Sequence, residues 1–408
     1  MHARTWAVVL AVVATACVGR VIESRPSPGV PSKVPEAYNR AYAEIAAELD
    51  RQLPLFDTGH ADKPAATAFG VELLVADSNR GPALLQEQVP QAVALTLDRL
   101  STLGVKSVSL SIQYPILTRG FPGVQAYREF YRRVADEVRR RGLKLVAEMG
   151  SGFREPEFSR LGDIRGVKRD VLASGLREMA EAIVADIRPD YLTLLSEPDT
   201  LARNTGLSFN PAEFARLVAQ IAKDLPRAGV RLGAGAGTWT SLDYFKSLAA
   251  LPELDYIDLH IYSVQYGLAS DRVVKAAEAA RAKGKDVSIG EAWLYKVAGR
   301  ESRTISPVEA FARDAYAFWQ PLDQDFIRLA VDLAHRIDAE FCSFYWMKYL
   351  YAYLPYTPET AGLTGAELML ASDRAAAENI VAGRLSPTGE LFRRLIAPPK
   401  AGPRVQDE

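Results

Sequence analysis

The stretch Tyr191-Leu-Thr-Leu-Leu-Ser-Glu-Pro-Asp-Thr200 is an apolar run that ends abruptly in an acid, a proline and a second acid. The run is short for a helix, and Pro198 cannot donate a hydrogen bond to a neighbouring strand, so pairing is expected to stop there. The pattern therefore predicts a buried strand that brings Glu197 to its C-terminal end.

A second stretch, Asp286-Val-Ser-Ile-Gly-Glu-Ala-Trp293, repeats this pattern. A β-branched run leads to a glycine, and Glu291 follows at the exit of the predicted strand. Two acids at the ends of two strands indicate a functional site if the fold brings those strand ends together.

The rest of the chain alternates between strand-like runs and amphipathic helix patterns. Further strands are predicted at 67–76, 105–112, 143–149, 230–236, 256–262 and 340–346. Helices are predicted at 82–103, 123–141, 167–187, 211–226, 241–250, 271–283, 325–338 and 386–396. Eight strands, each followed by a helix, are typical of the α/β fold known as the parallel (β/α)8 TIM barrel, which needs about 250 residues or more.

A doubly wound open sheet is the alternative architecture. The barrel is favoured because no glycine-rich phosphate turn follows the first strand and because acids recur at several strand exits. Two segments, 294–322 and 347–384, exceed the ordinary length of a loop after a barrel strand. Loops on that face of a barrel usually shape the substrate groove, and these two segments are expected to do so.

The N-terminal residues have the pattern of an exported protein. Residues 1–16 combine a positive charge with a short apolar run, which predicts a signal peptide. Residues 17–35 are rich in Pro and Ser and are interpreted as a tether. Cys17 resembles the lipid-acceptor cysteine of bacterial lipoproteins, but Ala14 stands where those proteins usually carry Leu. Lipid anchoring to a membrane and plain cleavage both stay open, and a periplasmic or extracellular location is predicted.

Residues 36–63 are predicted to form an N-terminal helix and a linker, residues 64–398 the barrel, and residues 399–408 a tail. A chain of 408 residues that is 48% hydrophobic can bury a large core, and its formal net charge of -1 gives no electrostatic argument for nucleic acid as a partner. No two of its four His residues have the spacing of a metal-binding pair, and no nucleotide-binding motif appears. We therefore predict neither a metal nor a cofactor, and a Mg²⁺ ion bound by carboxylates is the alternative.

The two acids suit one chemistry in particular. In a barrel, Glu197 after the fourth strand and Glu291 on the seventh would face each other across the mouth. Hydrolysis of a glycosidic bond uses such a pair, since one carboxylic acid protonates the leaving oxygen while the other carboxylate attacks the anomeric carbon or activates water. The alternative is that each Glu pairs with an Arg or Lys at a solvated rim.

On the motifs Glu197-Pro198 and Ile289-Gly-Glu-Ala-Trp293, the chain resembles the retaining glycoside hydrolases of clan A. That resemblance implies a (β/α)8 barrel in which Glu197 is the acid/base and Glu291 the nucleophile, acting on β-linked poly- or oligosaccharides. Ser196 departs from the clan, which usually has an Asn there that contacts the sugar 2-hydroxyl. An inactive barrel that binds sugar as a lipoprotein is therefore kept as the alternative function.

Further residues are predicted to contact the carbohydrate. His260 and Tyr262 alternate onto one side of the sixth strand, where the resemblance implies that a Tyr hydrogen-bonds the nucleophile, and simple core packing is the alternative. Trp346 is predicted to form an aromatic floor under the sugar, with core burial as its alternative. The other predicted contacts lie at strand exits or on the rim of the mouth: Ser196, Trp293, Glu72, Gln113, Glu148 and Trp239. Glu72 has the alternative of pointing into the barrel wall.

Overall fold

Eight parallel strands close into a barrel in the computed structural model, which describes residues 34–56, 67–265, 269–301 and 304–397. The strands are β1 (Ala68–Glu72), β2 (Ser107–Gln113), β3 (Lys144–Gly150), β4 (Tyr191–Thr193), β5 (Arg231–Gly237), β6 (Tyr256–Ile261), β7 (Asp286–Ala292) and β8 (Phe341–Phe344). Each strand pairs with the next along the chain, and β1 pairs with β8. The predicted TIM barrel is therefore confirmed.

Helices cover the outside of this barrel. They are α1 (Glu36–Gln52), α2 (Val89–Leu103), α3 (Val124–Arg140), α4 (Arg169–Ala182), α5 (Pro198–Thr205), α6 (Pro211–Ala222), α7 (Leu242–Ala249), α8 (Asp271–Arg281), α9 (Pro307–Ala312), α10 (Gln320–Arg336), α11 (Pro358–Ala361), α12 (Gly365–Ala382) and α13 (Pro387–Leu395). Every predicted helix is present, with shifted ends, because its apolar stripe packs onto the strands.

The 18-residue helix α12 lies inside the segment that we predicted to be a long loop. Its buried face includes Ser372, Ala376 and Ala377, so the sequence carries only a weak apolar stripe. Two end signals were nevertheless readable: a capping box between Thr364 and Glu367, and Gly383 in the left-handed conformation that commonly ends a helix. Because the buried side chains of this helix are small, the hydrophobicity pattern of the sequence did not reveal it.

The fourth strand ends earlier than the sequence suggested. β4 stops at Thr193, and Glu197 instead occupies the extended residue just before the first turn of α5, without a capping hydrogen bond from its side chain. Pro198 is the first helical residue, a position where the missing backbone N–H costs no hydrogen bond. The apolar run therefore leads into a short helix that directs Glu197 toward the barrel mouth.

The interior of the barrel is filled in layers because side chains alternate along each strand. The lowest layer is a buried cluster of Ala68, Val146, Tyr191, Tyr256 and Phe341. The Tyr256 ring fits only because β5 has a glycine opposite it, since a Cβ at Gly233 would lie 2.2 Å from that ring.

Above this cluster the interior becomes polar. Ser109 and Ser343 share a hydrogen bond of 2.7 Å across the barrel. The carboxylate of Asp258, which has no exposed surface, accepts hydrogen bonds from Ser288 at 2.8 Å and from Thr193 at 3.2 Å. Buried polar groups are tolerated when they are hydrogen-bonded. These serine and threonine hydroxyls therefore form a polar layer between the apolar base of the barrel and its charged mouth.

A buried cation ties the segment after β7 to the outer helices. Lys296 has no exposed side-chain surface, and its Nζ lies 2.6 Å from Asp323 and 3.2 Å from Asp314. The same Nζ lies 4.9 Å from the centre of the Trp293 ring. Burial raises the pKa of Asp314 to about 7, although the positive charge of Lys296 lowers it.

Several predicted regions lie outside the described residues: the signal peptide at 1–16, residues 17–33 of the tether, residues 57–63 of the linker, and the tail at 399–408. Within the described ranges, no helix combines the length and the apolar composition that crossing a membrane requires.

Replacing Lys296 with Met is expected to destabilise the protein by roughly 3–5 kcal/mol, because two buried carboxylates then lose their only cation within 4 Å in the described residues. The free energy of unfolding from a urea titration measures this. Lys246→Met is the matched control, because Lys246 is 62% exposed in its pair with Asp243 and should change stability by less than about 1 kcal/mol. Equal effects of the two substitutions would contradict the prediction.

Candidate active site

Glu197 and Glu291 lie on either side of one histidine. The His260 Nδ1 atom is 3.0 Å from Glu197 Oε1 and 3.4 Å from Glu291 Oε2. The His260 side chain is 2% exposed, whereas those of Glu197 and Glu291 are 21% and 15% exposed. The imidazole is therefore buried beneath the two acids, and both acids reach the solvent at the barrel mouth.

The carboxyl groups of the two glutamates are close together. One oxygen of Glu197 and one of Glu291 lie within 4.8 Å of each other. Neither acid forms an ion pair with an Arg or Lys among the described residues, which removes the alternative that we considered for a solvated rim.

A bulge in β7 sets the direction of Glu291. The register between β6 and β7 shifts after Leu259, so that His260 lies opposite Glu291 and Gly290 is left without a partner. Bulges commonly re-aim a side chain next to a functional site. Here the bulge turns Glu291 toward Tyr262, whose hydroxyl donates a hydrogen bond of 2.5 Å to Glu291 Oε2.

Two more carboxyl groups lie on the other side of His260. Its Nε2 atom is 3.4 Å from Glu148 Oε2 and 3.6 Å from Asp258 Oδ2. These side chains are 5% and 0% exposed. A Cβ at Gly290 would lie 2.2 Å from Asp258 Oδ2 and 2.6 Å from Glu148 Oε1, so only glycine leaves room for both carboxyl groups.

These contacts set the protonation of the imidazole. Burial alone would lower the pKa of His260, but the charge of Glu291 and the contacts with Asp258, Glu148 and Glu197 raise this pKa well above its usual value. The four carboxyl groups within 3.6 Å therefore favour the protonated imidazole. It is the positive charge that makes a cluster of buried carboxyl groups tolerable.

The pKa values of the two acids move in opposite directions. Burial raises the pKa of Glu291 to about 8, even though the charge of His260 lowers it. Burial would also raise the pKa of Glu197, but the hydrogen bond from His260 and its charge bring this pKa below the usual value. With a lowered pKa on Glu197 and a raised pKa on Glu291, a proton shared by the two acids is held by Glu291 in the free site.

Aromatic side chains form the rim beside these acids. Trp239 is half-buried, donates a hydrogen bond of 2.9 Å to Asp199, and packs edge-on against Tyr262 at 5.7 Å. Trp346 is 7% exposed and contacts Tyr345 at 4.7 Å between ring centres. The structure therefore brings Trp239, Tyr262 and Trp346 to one region of the mouth, and their predicted contact with sugar stays a prediction.

Other predicted contact residues are more deeply buried. Glu72 is 2% exposed and points into the barrel. Burial, followed by the charges of Asp77 and Glu291, raises the pKa of Glu72 well above its usual value. Ser196 is 8% exposed beside Glu197.

Gln113 is engaged by the protein itself. Its Oε1 atom accepts a hydrogen bond of 3.1 Å from the backbone N–H of Gly152, at the start of the loop after β3. The side chain thus holds that loop against the end of β2, a use that the sequence did not suggest.

The structure places Trp293 in the core rather than at the rim. It is 1% exposed and stacks on Tyr349 at 5.6 Å, while Lys296 lies over its ring. The prediction of a sugar contact for Trp293 is wrong on this geometry, because no face of the ring is open to a ligand. Its position just after Glu291 suggested the rim, but the chain turns inward there.

Asp258 and Asp199 are site residues that the sequence reasoning missed. Asp258 lies two residues before His260, so a period of two along β6 could have placed it on the same face. Asp199 follows Glu197 closely, but its hydrogen bond to Trp239 depends on the approach of two loops. That contact left no signal in the sequence.

Two groups of side chains could hold a metal ion by position: Glu148 with Asp258 and His260, and Glu197 with His260 and Glu291. Both groups share His260, which would have to give up its proton to bind a metal. The prediction that the site works without a metal stays a prediction.

Gly290→Ala is expected to destabilise the protein by about 1–3 kcal/mol, because the added methyl group would overlap the carboxyl groups of Asp258 and Glu148. Gly120→Ala is the control, since a Cβ at Gly120 meets no atom within 4 Å and its φ is not positive. Thermal unfolding of the two variants checks this. An unchanged unfolding midpoint for Gly290→Ala would show that the space between Gly290 and the carboxyl groups of Asp258 and Glu148 can accommodate a methyl group.

No protein-family model and no curated protein matches this chain. Among solved structures, an exo-beta-1,4-mannosidase from Opitutaceae bacterium strain TAV5 is similar with a TM-score of 0.52 at 16% identity, over 83% of this chain and 60% of that one. A GH5_18 protein from Bifidobacterium longum subsp. longum, solved with Manb1-4GlcNAc, has a TM-score of 0.52 at 15% identity, over 81% of this chain and 78% of that one. This chain thus spans about three fifths of the mannosidase. The likeness shows a shared barrel fold.

Proposed function

We propose that the protein is a retaining glycoside hydrolase that acts on β-linked oligo- or polysaccharides. The observation that carries this proposal is the pair Glu197 and Glu291, which have one carboxyl oxygen each within 4.8 Å of the other at the open end of the barrel. Retaining glycosidases hold their two carboxyl groups about 5–5.5 Å apart, whereas inverting enzymes need roughly 6.5–9.5 Å to admit a water.

In the proposed reaction Glu197 donates its proton to the glycosidic oxygen while Glu291 attacks the anomeric carbon. The bond to the leaving sugar breaks and a covalent glycosyl-Glu291 ester forms. Glu197, now ionised, takes a proton from water, and the resulting hydroxide displaces Glu291 from the anomeric carbon. The product keeps its anomeric configuration, and both acids return to their starting protonation.

The neighbours of the two acids suit these roles. Tyr262 donates a hydrogen bond of 2.5 Å to Glu291, which orients the attacking carboxylate and stabilises its charge. His260 Nδ1 lies 3.0 Å from Glu197 Oε1. The imidazole can therefore stabilise Glu197 when this residue has given up its proton and acts as the base. Trp239 lies against Tyr262 and offers an apolar ring beside the reacting centre.

The proton must be on Glu197 when the reaction starts, whereas the free site favours Glu291. Both arrangements contain one proton and differ only in its position, so they are in equilibrium without any exchange with solvent. A sugar oxygen next to Glu197 accepts a hydrogen bond only from its protonated form. Substrate binding would therefore select the reactive arrangement.

The similar structures are those of an exo-beta-1,4-mannosidase and of a GH5_18 protein in complex with Manb1-4GlcNAc. At 16% and 15% identity they establish a shared fold and leave the sugar of this chain open. They do make β-mannosides a sensible first member of a substrate panel. Export and lipid attachment at Cys17 depend on residues 1–35 alone and stay sequence predictions.

The two acids are expected to be separable by mutation. Glu291→Ala should abolish turnover because no glycosyl-enzyme can form, while Glu197→Ala should lose about 10²–10⁴-fold on natural substrates and little on 2,4-dinitrophenyl glycosides, whose leaving group needs no proton. Added azide should give the inverted glycosyl azide with Glu291→Ala and the retained one with Glu197→Ala. NMR of the products reads the configuration.

Glu278→Ala, an exposed acid on α8, is the control and should keep wild-type rates. Wild-type activity in both site variants would overturn the assignment of the pair. Binding of glycans by the wild-type protein without any release of reducing ends would instead support the inactive sugar-binding barrel.

The pH dependence of kcat/KM is expected to be bell-shaped, because only the singly protonated pair has both an acid and a nucleophile. Activity should fall above about pH 8, because the pair then loses its only proton and no acid is left. It should also fall at acidic pH, below the lowered pKa of Glu197, because both acids are then protonated and no nucleophile is left. In Glu197→Ala with a 2,4-dinitrophenyl glycoside, the alkaline decrease should disappear because no acid is needed. Its persistence in that variant would show that another group causes it.

A further inference from the structure

Two loops from opposite sides of the barrel meet above its mouth. Phe153 and Phe158 follow β3, and Phe311 is on α9, which follows β7. In a closed barrel of eight strands, β3 and β7 are four strands apart, so these loops start on opposite sides. Contact between them requires both to extend over the mouth.

The three phenylalanine rings are in direct contact. Phe153 and Phe158 lie 5.0 Å apart between ring centres, and Phe311 lies 5.9 Å from the first and 5.6 Å from the second. Edge-to-face contacts at these distances are favourable arrangements for aromatic pairs. The two loops are thus joined by a small apolar cluster of their own.

This cluster continues downward to the strands without a break. Phe311 packs on Trp346 at 5.6 Å, Trp346 on Tyr345 at 4.7 Å, and Tyr345 on Tyr262 at 6.1 Å. Trp346 and Tyr345 are 7% and 5% exposed, so no channel runs between them. The rings of Phe153, Phe158, Phe311, Trp346 and Tyr345 therefore form an aromatic wall that begins at the hydrogen-bond partner of Glu291.

The β3 side of the wall is held in place by hydrogen bonds to Asn79, Asn204 and Gln113. The backbone N–H of Phe153 donates to Asn79 Oδ1 at 3.0 Å, and that of Arg160 donates to the Asn79 carbonyl at 2.8 Å. Asn204 donates to the Gly152 carbonyl at 2.6 Å, beside the contact of Gly152 with Gln113. The loop is fixed at both ends of its aromatic segment.

The β7 side is fixed as well. Helix α9 begins with a capping box formed by Ser306 and Glu309. Arg313, just beyond its end, donates to the Lys296 carbonyl and to Glu301, both at 3.0 Å. The wall is therefore built on two anchored segments.

An open pocket lies along the aromatic wall. Phe153, Phe158, Trp346 and Tyr345 line it, together with residues from the loop after β1 and from α12. Neither Glu197 nor Glu291 lines it. The wall therefore borders this pocket, whereas the two acids do not.

We propose that the aromatic wall closes one end of the active-site cleft, so that the site admits only the terminal sugar of a β-linked chain and releases one sugar unit at a time. This inference rests on the proposed function. A chain that crossed the mouth would have to pass through the rings of Phe158, Phe311 and Trp346, which lie in van der Waals contact. The open side carries Trp239 and Tyr262 and would receive the rest of the chain.

The test follows the first products from hexaoses of β-1,4-linked mannose, glucose and xylose. Wild-type protein should release monosaccharide and leave a pentaose. In a Phe158→Ala, Phe311→Ala double variant, the share of di-, tri- and tetrasaccharides should rise about tenfold or more, because chains can then extend past the acids. A Phe311→Ala single variant, which removes the one ring that joins the two loops, covers the case in which the double variant does not fold.

Phe121→Ala is the matched control, because Phe121 is also half-buried and packs edge-on against Tyr127 at 5.7 Å, outside the wall. It should retain the product pattern of the wild-type protein. Intermediate products from the wild-type protein at the first time point would overturn the wall and leave the proposed function intact. An unchanged product pattern in both wall variants would likewise overturn the wall and leave the proposed function intact. If the wild-type protein cleaved no β-glycoside, the proposed function would fall together with this inference.

Discussion

One buried imidazole organises the mouth of this barrel. His260 contacts four carboxyl groups at 3.0–3.6 Å, with Glu197 and Glu291 above it and Glu148 and Asp258 below. Removing a charge from water is costly unless an opposite charge and hydrogen bonds replace the solvent. Because a single cation serves all four acids, each of them must keep its position, and the two upper ones are held close together.

The architecture around His260 follows from that requirement. The bulge in β7 leaves Gly290 where any side chain would meet Asp258 and Glu148. Serine and threonine hydroxyls bind Asp258 from below, so the polar layer has hydrogen bonds where most barrels would have branched apolar residues. The stability of the domain must come from the apolar layer between strands and helices, which leaves the interior free for chemistry.

The chemistry and the shape of the site come from different parts of the chain. Strand ends supply the acids and their partners, whereas loops after β3 and β7 supply the aromatic wall. Tyr262 belongs to both, since it donates to Glu291 and lies next to Tyr345 at the foot of the wall. Loops positioned by a rigid barrel can vary specificity without moving the acids, which explains how one fold serves many substrates.

The sequence by itself determined the barrel, because alternating strand and helix patterns allow few other topologies. It also determined that Glu197 and Glu291 would meet, since the C-terminal ends of parallel strands converge on one face. It misplaced Trp293 and overlooked both Asp258 and the helix Gly365–Ala382. Only the tertiary structure decided the four contacts of His260, the use of Gln113 as a loop anchor and the meeting of Phe158 with Phe311. These features depend on strand register and on loops from opposite sides of the barrel, which no local pattern encodes.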